Sequence, residues 1–538
     1  MLLQPKMRVA VAPASEYQLR RRLFDMLSSR LEVSFEPHTP GECQGLRGLI
    51  ALGGAAEAAR EASLCHLSCY QVILSQPIPV AAQSGIAFTS SVAVHRAFRG
   101  KTLADSSLIN FSRVPDSFES LARVGEETIW AVEQQDGQEH HCVGVDVPVF
   151  TEKDFFYNHF RELRWFSMVP LLHFLRGLLG PDGWPAPEPR ASFIIDDPNL
   201  HHRSYGYIDF EKLANHAAAH NYHATIATVP LDAWYFDRKV ADLFQTHKKY
   251  ISLMMHGVNH VADELARSYK KREALSLLAT GLRRIADLES RSGVAVARIM
   301  AAPHGAFSEL MADVMLRLGY EAACVSLGSL LRWNPERVWR PDLGFAVSQS
   351  LGTLAFPVFH RTGLSETNIR LSAFLGHPVI VATHHRDCAS NFARLESIAN
   401  IVNSIGSMRW MGIEDVSRTN FVSKKQNEAL HIWPYSRRLA VPLSSEITEV
   451  EVCLSPYCGG FTIDLHDHRR DGSGVAVHNI PARHRISNNT LEIFFPPSNA
   501  VDYRQVESRS VGVWPVVRRI LTEARDRTQP ILSLASAR

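Results

Sequence analysis

Residues 193–210 read FIIDDPNLHHRSYGYIDF. Three apolar residues run directly into two adjacent carboxylates, Asp196 and Asp197, and the adjacent histidines His201 and His202 follow shortly after. Two like charges at the end of a buried strand repel each other and are costly to remove from water. Either a cation neutralises this pair or the pair lies in a solvated turn, and the surrounding sequence has to distinguish the two cases.

The surrounding segment, residues 191–420, alternates apolar runs with helical patterns. The runs ASFIID, HATIATV, YISLMMH, ARIMAAP, EAACVS and PVIVATH are typical of strands, and a long helix is predicted over 261–291. This alternation predicts parallel strands with helices outside them, in a barrel or an open sheet. In such folds the functional groups gather at the C-terminal ends of the strands.

Polar residues capable of binding a metal follow four of these predicted strands. They are Asp196-Asp197, the segment HGVNH from His256 to His260, Pro303-His304-Gly305, and His384-His385-Arg386-Asp387. The two histidines of HGVNH lie on one face if the segment turns helically. Two imidazoles and one carboxylate around a cation form an open site with room for water and substrate. The alternative is that His256 and His260 are separate cap and surface residues, but the neighbouring aspartate pair favours a metal site.

In this order, the patterns resemble the NodB-type polysaccharide deacetylases of carbohydrate esterase family 4, over about residues 191–420. That family has a distorted (β/α) barrel that holds a divalent cation, usually zinc. The resemblance implies that Asp196 is the general base and that an acid near the leaving amine is His384, with His385 as its rival. It also implies the metal ligands Asp197, His256 and His260.

One residue departs clearly from the pattern of this family. The family's third motif begins with an arginine two residues before the proline, and here that position is Ala301. The arginine orients the catalytic aspartate, so its charge has to come from elsewhere; Arg298, Arg340 and Arg386 are the candidates considered from the sequence.

The polar stretch after the aspartates is the candidate substrate groove. Aromatic rings and guanidinium groups suit sugar rings and anionic groups, and the alternative is an ordinary surface loop that leads into a helix at Asp209. The predicted substrate-binding residues are His201, His202, Arg203, Tyr205, His304 and Arg340.

The segments on either side of residues 191–420 have different patterns of apolar and polar residues. Residues 1–150 resemble a flavodoxin- or amidotransferase-like α/β open sheet, and residues 151–190 combine a helix predicted over 153–180 with a proline-rich linker. Residues 425–538 carry the short alternating runs of an antiparallel β-sandwich, followed by one amphipathic helix. The expected fold class is therefore α/β multidomain, with a (β/α) barrel of the deacetylase type at its centre.

The composition limits the kinds of partner. The chain has 538 residues, 21% charged and 46% hydrophobic, with a formal net charge of +2, which gives no reason to expect nucleic acid as a partner. No apolar run reaches the ~20 residues of a membrane span. The start MLLQPKMRVAVAP lacks the pattern of a secretion signal, so the expected location is the cytoplasm. The eight cysteines form no CxxC pair and are expected to be reduced.

The resemblance predicts a metal-dependent N-deacetylase. It would remove acetyl groups from an N-acetylated amino sugar in a glycan, glycolipid or sugar conjugate, with an aspartate as base and a histidine as acid. Two alternatives stay open: a metal-dependent amidohydrolase of a small cytoplasmic molecule, and a non-catalytic carbohydrate-binding protein with a degenerate site, which the missing arginine motivates. The sequence leaves the oligomeric state open.

Overall fold

The computed structural model describes residues 6–75, 77–80, 85–184, 186–453, 476–478, 483–487, 489–497, 499–508 and 512–536. The chain divides into two compact units. Unit 1 comprises Met1–Pro185 with Val338–Ala346, and unit 2 comprises Ala186–Arg337 with Val347–Arg538. The candidate site residues at the predicted strand ends all belong to unit 2.

Unit 1 is built on a nine-stranded mixed sheet with the order β2-β1-β3-β4-β11-β10-β9-β6-β7. The strands from β2 to β11 pair in parallel, and those from β11 to β7 pair antiparallel. The predicted likeness to flavodoxin or amidotransferase modules stays a prediction. The elements are β1 (Met7–Ala12), α1 (Ala14–Leu19), α2 (Arg21–Arg30), β2 (Val33–Pro37), β3 (Leu46–Ala51), α3 (Ala56–Leu64), β4 (Ser68–Val72), β5 (Ile78–Pro79), β6 (Ile86–Phe88), β7 (Thr102–Leu103), β8 (Asn110–Phe111), β9 (Glu119–Val124), β10 (Glu127–Gln135), β11 (Gln138–Val143), α4 (Phe156–His159) and α5 (Val169–Gly183).

The helix predicted over 153–180 is wrong in its first half. The structure has only the short α4 there, and the chain then turns at Leu163, whose φ is +63°. The regular helix α5 begins at Val169, where Pro170 in the first turn suits a helix start because its missing N–H has no partner to lose there. The apolar density of this segment therefore reflects burial more than helical periodicity.

Unit 2 is centred on a curled sheet with the order β19-β20-β18-β17-β16-β15-β12-β21, and β22 pairs with β12 beside it. All of these pairs are parallel except β19 with β20. A single parallel bridge connects Thr362, just after β20, with Val381 in β21. The sheet therefore curls toward a barrel without a complete ladder between these two strands. The elements are β12 (Arg190–Asp196), β13 (Ser204–Tyr205), β14 (Ile208–Asp209), α6 (Phe210–Ala219), β15 (Ala224–Thr228), α7 (Arg238–Thr246), β16 (Ile251–His256), α8 (Lys271–Ser292), β17 (Val296–Ala301), α9 (Glu309–Leu318), β18 (Ala322–Val325), α10 (Leu327–Trp333), β19 (Gln349–Leu351), β20 (Phe356–His360), α11 (Glu366–Leu375), β21 (Val379–His384), α12 (Ala393–Ser404), β22 (Arg409–Trp410) and α13 (Ile413–Arg418).

Two features of this sheet differ from the sequence prediction. The helix predicted from residue 261 begins only at Lys271, and strands β19 and β20 with helix α11 were not predicted. A proline inside a strand removes a backbone donor and argues against a central strand. Pro357 has this effect in β20, which nevertheless lies between β19 and β18.

The interior of the curled sheet is apolar and lies below the polar strand ends. Ile194, Met254, Ile299, Phe359 and Ile380 belong to one buried cluster that joins strands from both sides of the sheet. This packing fixes the relative heights of the strands, which is what a site built from several strand ends requires.

The C-terminal part of unit 2 contains two small sheets, β23-β24-β26-β27 and β25-β29-β28, which share one apolar cluster. The pairs β24–β26 and β26–β27 are parallel, so this part is mixed rather than purely antiparallel as predicted. The strands predicted within 454–475 lie outside the described residues. The elements are β23 (Phe421–Gln426), β24 (Ala429–Pro434), β25 (Arg438–Pro442), β26 (Glu449–Val452), β27 (Ala476–His478), β28 (Arg483–Ser487), β29 (Thr490–Phe494) and α14 (Val513–Ser536).

The cysteines differ from the prediction at one pair. Cys43 and Cys65 form a disulfide in unit 1, so the expectation of reduced thiols is wrong for these two. The free cysteines of the described residues are all buried. Disulfides are typical of oxidising compartments, and the cytoplasmic location stays a prediction. No described helix combines the length and the apolar character needed to cross a bilayer.

Candidate metal and catalytic centre

The register of the parallel strands brings the polar strand ends to one edge of the sheet. Asp196 at the end of β12 lies opposite His384 at the end of β21, and His256 at the end of β16 lies opposite Ala301 at the end of β17. Because parallel strands all end at the same edge, residues far apart in the sequence meet here.

Three side chains converge on a common point at this edge. The Oδ1 atom of Asp197 lies 3.0 Å from Nε2 of His260 and 3.6 Å from Nε2 of His256. The ligand atoms of the three residues all lie within 4.8 Å of one another. One carboxylate oxygen and two imidazole nitrogens are a donor set that suits zinc and similar divalent cations. The residues present therefore fit the cation that the family resemblance implies.

The tautomer of His256 is set by its second nitrogen. Nδ1 donates to the backbone carbonyl of Ala301 at 2.9 Å, which leaves the lone pair of Nε2 directed at Asp197. Burial lowers the pKa of His256 to about 4, so the imidazole is neutral near pH 7, the form in which histidine binds metals. A backbone partner that orients a ligating histidine is a common feature of metal centres.

Opposing effects act on the carboxylate of Asp197. Burial raises its pKa, but the hydrogen bond with His260 and the positive charge of Arg519 act in the opposite direction, and the pKa lies well below its usual range. The carboxylate is thus kept ionised, as a metal ligand has to be.

The segment HGVNH is a loop, so the condition that it turns helically is not met. The buried carboxylate of Glu264 accepts hydrogen bonds from the backbone N–H groups of Val258, Asn259 and His260, at 2.8–3.2 Å. This carboxylate holds the loop closed, and His260 takes a φ of +55° within it. A side chain at Gly257 would place Cβ 2.7 Å from Glu264, so this position requires glycine. The contacts with Glu264, and not a helical turn, thus bring His256 and His260 to the same side of the loop.

Asp197 itself has a strained backbone. Its φ is +88°, which is rare for a residue with a side chain and costs about 1–3 kcal/mol. Its N–H donates to the carbonyl of Ala227 at 3.2 Å, and its carbonyl accepts from the guanidinium of Arg519 at 3.2 Å. Strain of this kind persists only where neighbouring groups hold it in place.

The buried carboxylate of Asp196 is paired with Arg361. Nη2 of Arg361 donates to Oδ2 at 2.7 Å, whereas Oδ1 has no hydrogen-bond partner in the part of the chain that the structure describes. This pairing gives Asp196 a fixed orientation through one of its two oxygens. The charge missing at Ala301 is therefore supplied from the end of β20.

The three arginines considered from the sequence are not the ones that contact Asp196. Arg298 pairs with Glu289 at 2.5 Å, and Arg386 donates to the side chain of Gln529 at 3.0 Å. Arg340 belongs to unit 1, where its guanidinium lies 3.5 Å from the carboxylate of Asp342. The prediction that one of them replaces the missing arginine is wrong.

The two candidate acids, His384 and His385, point in different directions. Nε2 of His384 lies 4.0 Å from Oδ2 of Asp196, and its side chain is 60% exposed. His385 is buried, lies 3.6 Å from Asp526 on α14 and stacks on Tyr207. The geometry favours His384 as the residue that faces both Asp196 and solvent.

The predicted substrate loop is divided between buried and exposed residues. Both ring nitrogens of His201 are engaged, with Glu523 at 3.0 Å and the carbonyl of Asp232 at 2.8 Å, and the buried hydroxyl of Tyr205 donates to Asp526 at 3.0 Å. His201 and Tyr205 therefore hold α14 in place, and the expectation that they bind substrate is wrong for their polar atoms. By contrast His202 and Arg203 are exposed.

His304 lies beside His260 of the candidate metal site. Its ring centroid is 5.4 Å from that of His260, and its side chain is exposed at a backbone φ of +55°. Burial and the neighbouring His260 lower its pKa. Its predicted part in substrate binding stays a prediction.

Sequence reasoning missed several residues of this region. Arg361 follows the run FPVFH, which ends on polar residues as the other strands do and offered the one usable signal. Arg519 and Asp232 pair with each other at 2.5 Å although 287 residues separate them, and no local pattern indicates this contact. Trp234 and Tyr235 are 69% and 47% exposed, and their rings lie 5.1 Å and 5.8 Å from that of His201.

Comparisons with known proteins give matches among solved structures. No protein-family model matches the chain, and no curated protein matches it in sequence. The carbohydrate deacetylase Agd3 matches over 92% of this chain and 97% of its own length, at 8% identity and a TM-score of 0.47. A family 4 carbohydrate esterase from Streptomyces lividans, solved with acetate, matches over 42% of this chain and 93% of its own, at 12% identity and a TM-score of 0.27. A putative polysaccharide deacetylase from Mycobacterium smegmatis matches over 43% and 92%, at 12% identity and a TM-score of 0.30.

The likeness of this chain to carbohydrate deacetylases thus recurs in solved structures. The identities and TM-scores are low, so the activity of this chain has to be argued from its own side chains.

The metal-binding group can be tested by removing its histidines. We expect the full chain to retain about one zinc ion after dialysis, and the H256A/H260A double variant to lose it, because a lone carboxylate binds zinc weakly. Metal content measured by mass spectrometry against protein concentration gives the answer.

A matched control is available on α6 and α12. His216, His220 and Glu396 form another group whose ligand atoms lie within 4.8 Å of one another. The H216A/H220A variant should keep its zinc. If it loses the ion while H256A/H260A keeps it, the assignment of the metal centre is wrong.

Proposed function

We propose that unit 2 is a metal-dependent N-deacetylase that removes acetyl groups from an N-acetylated amino sugar within a glycan or sugar conjugate. The observation that carries the proposal is the position of Asp196. This carboxylate is buried and is held by Arg361 through Oδ2, and its Oδ1 atom lies 3.9 Å from Nδ1 of His256, which converges with Asp197 and His260. The family resemblance and the matches to carbohydrate deacetylases are consistent with this reaction.

Asp196 has the features of a general base. Its Oδ1 atom has no hydrogen-bond partner within the described chain, and Arg361 holds the carboxylate in a fixed orientation through Oδ2. Asp196 and Asp197 thus have separate tasks, since only Asp197 directs an oxygen at the two histidines.

His384 is placed to act as the acid. An amine leaves an amide poorly unless its nitrogen is protonated, and the exposed ring of His384 lies 4.0 Å from Asp196. In the proposed reaction a water oxygen bonds to the acetyl carbon, Asp196 takes the water proton, and the C–N bond breaks as His384 gives a proton to nitrogen. The products are acetate and the free amine.

Asp197, His256 and His260 would hold the cation. When bound, a divalent cation polarises the acetyl carbonyl and makes water more acidic. Ala301, Glu264 and Arg519 contribute by orienting these three residues through hydrogen bonds.

The two alternatives are affected differently by the structure. The non-catalytic alternative was motivated by the missing arginine at Ala301, and the contact between Arg361 and Asp196 argues against it. The amidohydrolase alternative shares the same site and differs only in substrate, so the substrate panel below distinguishes it.

Trp234 and Tyr235 form a candidate platform for a sugar ring. Arg291 holds their loop through the carbonyls of Ala233 at 2.6 Å and Trp234 at 3.2 Å, so the exposed rings are carried on an anchored backbone. The loop adjoins the site through Asp232, which binds Arg519. An exposed aromatic ring at a fixed position suits the apolar face of a sugar.

The reaction is tested by acetate release. The zinc-loaded full chain should release acetate from at least one N-acetylated amino-sugar oligomer, with a free amine formed in equal amount. D196N should lower kcat by about 10²-fold or more because the base is lost. The exposed D242N variant on α7 should retain kcat.

Two outcomes would redirect the proposal. Release of acid only from small non-sugar amides would favour the amidohydrolase alternative. Full kcat in D196N would remove the base assignment.

The role of Arg361 is tested separately. We expect R361M to lower kcat on the order of 10²-fold with little change in KM, because the buried carboxylate loses its orienting cation while substrate contacts remain. R298M is the matched control, since Arg298 belongs to β17 and pairs with Glu289 instead. Equal kcat values for the two variants would contradict the role given to Arg361.

The sugar platform predicts a different kinetic signature. W234A should raise KM by a few-fold, equivalent to roughly 1 kcal/mol of stacking, with kcat nearly unchanged. The control is W514A, which removes another exposed tryptophan, on α14. A higher KM in W514A than in W234A would place sugar binding elsewhere.

A further inference from the structure

The C-terminal helix α14 is amphipathic in an unusual sense. Arg519 and Asp526 on one face are buried, whereas Trp514, Ile520 and Leu521 on the other face are exposed. Surface helices normally bury their apolar stripe and expose their charges. The described contacts of α14 with the mouth of the curled sheet are therefore mainly ion pairs and hydrogen bonds, which are directional and fix the position of individual groups.

The most deeply placed of these groups is the guanidinium of Arg519. It binds the buried carboxylate of Asp232 through Nη2 at 2.5 Å and Nε at 3.1 Å. The same Nη2 donates to the backbone carbonyl of Asp197 at 3.2 Å, and Nη1 lies 3.8 Å from the Oδ1 atom of Asp197. One side chain from α14 thus touches both the backbone and the carboxylate of a candidate metal ligand.

This contact coincides with the strained residue of the site. Asp197 has a φ of +88°, and its two peptide groups are held from opposite sides. Its N–H is bound by Ala227 of the sheet, and its carbonyl is bound by Arg519 of α14. Without the second contact, the strain in Asp197 favours relaxation of the backbone, which would turn the carboxylate away from the histidines.

We propose that Arg519 is a positioning residue that holds Asp197 in its metal-binding conformation, so that α14 is part of the catalytic centre. The inference rests on the proposed function for the role of Asp197 as a ligand. It adds that the centre of this chain extends beyond the strand ends of residues 191–420, to a helix that the family motifs do not include.

Asp232 has a defined part in this arrangement. A guanidinium beside a metal ligand would repel a bound cation unless its own charge were balanced, and Asp232 provides that balance. Its carboxylate also fixes the plane of the guanidinium, so that Nη2 meets the Asp197 carbonyl. A lysine cannot reproduce this geometry, because one ammonium group lacks the planar fork that contacts several acceptors.

The test measures zinc affinity, so it does not depend on turnover. Metal-free R519K and R519Q should bind zinc on the order of 10- to 100-fold more weakly than the unmodified chain, in competition with a chromophoric chelator. R527Q is the matched control, because Arg527 lies on the same face of α14 and contacts Asn199 and Glu523 but not Asp197. Its zinc affinity should stay within about twofold.

Unfolding of the metal-free proteins separates positioning from general stabilisation. If Arg519 only fastens α14, then R519K, R519Q and R527Q will show zinc affinities that follow their unfolding midpoints. Unchanged zinc affinity in a folded R519K, or an equal loss in R527Q, overturns the proposal. R519K keeps the charge and is the decisive variant if R519Q does not fold.

Failure of this inference and failure of the proposed function give different results. If the chain binds zinc through His256 and His260 and R519K weakens that binding, but no acetate is released, the positioning role of Arg519 is supported and the deacetylase proposal is contradicted. If the chain releases acetate and R519K binds zinc as tightly as the unmodified chain, the proposed activity is supported and the positioning role of Arg519 is contradicted.

Discussion

The repulsion between two adjacent buried carboxylates is the constraint on which the site of this protein depends. Asp196 ends the strand β12 and is 3% exposed, and the side chain of Asp197 directly after it is 18% exposed, so bulk water screens their repulsion only weakly. The structure gives each carboxylate its own positive partner. Arg361 binds Asp196, and the guanidinium of Arg519 lies 3.8 Å from the carboxylate of Asp197. The arrangement of strand ends, loops and C-terminal helix follows from the need to compensate both charges.

The same pair also has to point in two useful directions. Successive side chains of a regular strand face opposite sides, so two neighbouring aspartates cannot both serve a site at the end of an undistorted strand. The positive φ of Asp197 ends the strand regularity and lets its carboxylate meet His256 and His260, while Asp196 remains on the inner side with Ile194. Backbone strain thus lets one dipeptide direct its two carboxylates at different partners, Asp197 at the two histidines and Asp196 at Arg361.

The parts of the site that were predictable are those with a local signature. The aspartate pair, His256, His260 and His384 each follow an apolar run, and parallel strands bring such ends together whatever their distance in sequence. Arg361 also follows an apolar run, the strand β20, but Pro357 within that run argues against a central strand. The conformation of the HGVNH loop was not predictable, because it depends on the carboxylate of Glu264 and not on helical spacing.

The sequence alone indicated the parallel strands that carry the candidate residues of 191–420 and the chemical types at their ends, although not β19, β20 or α11, because periodicity and strand termini are local properties of the chain. Only the tertiary structure decided which cation serves which carboxylate, which of His384 and His385 faces Asp196, and that α14 reaches the site. These choices depend on distances between residues that are hundreds of positions apart. No pattern within a window of sequence contains such distances, since they are set by the packing of the curled sheet and by the buried ion pairs above it.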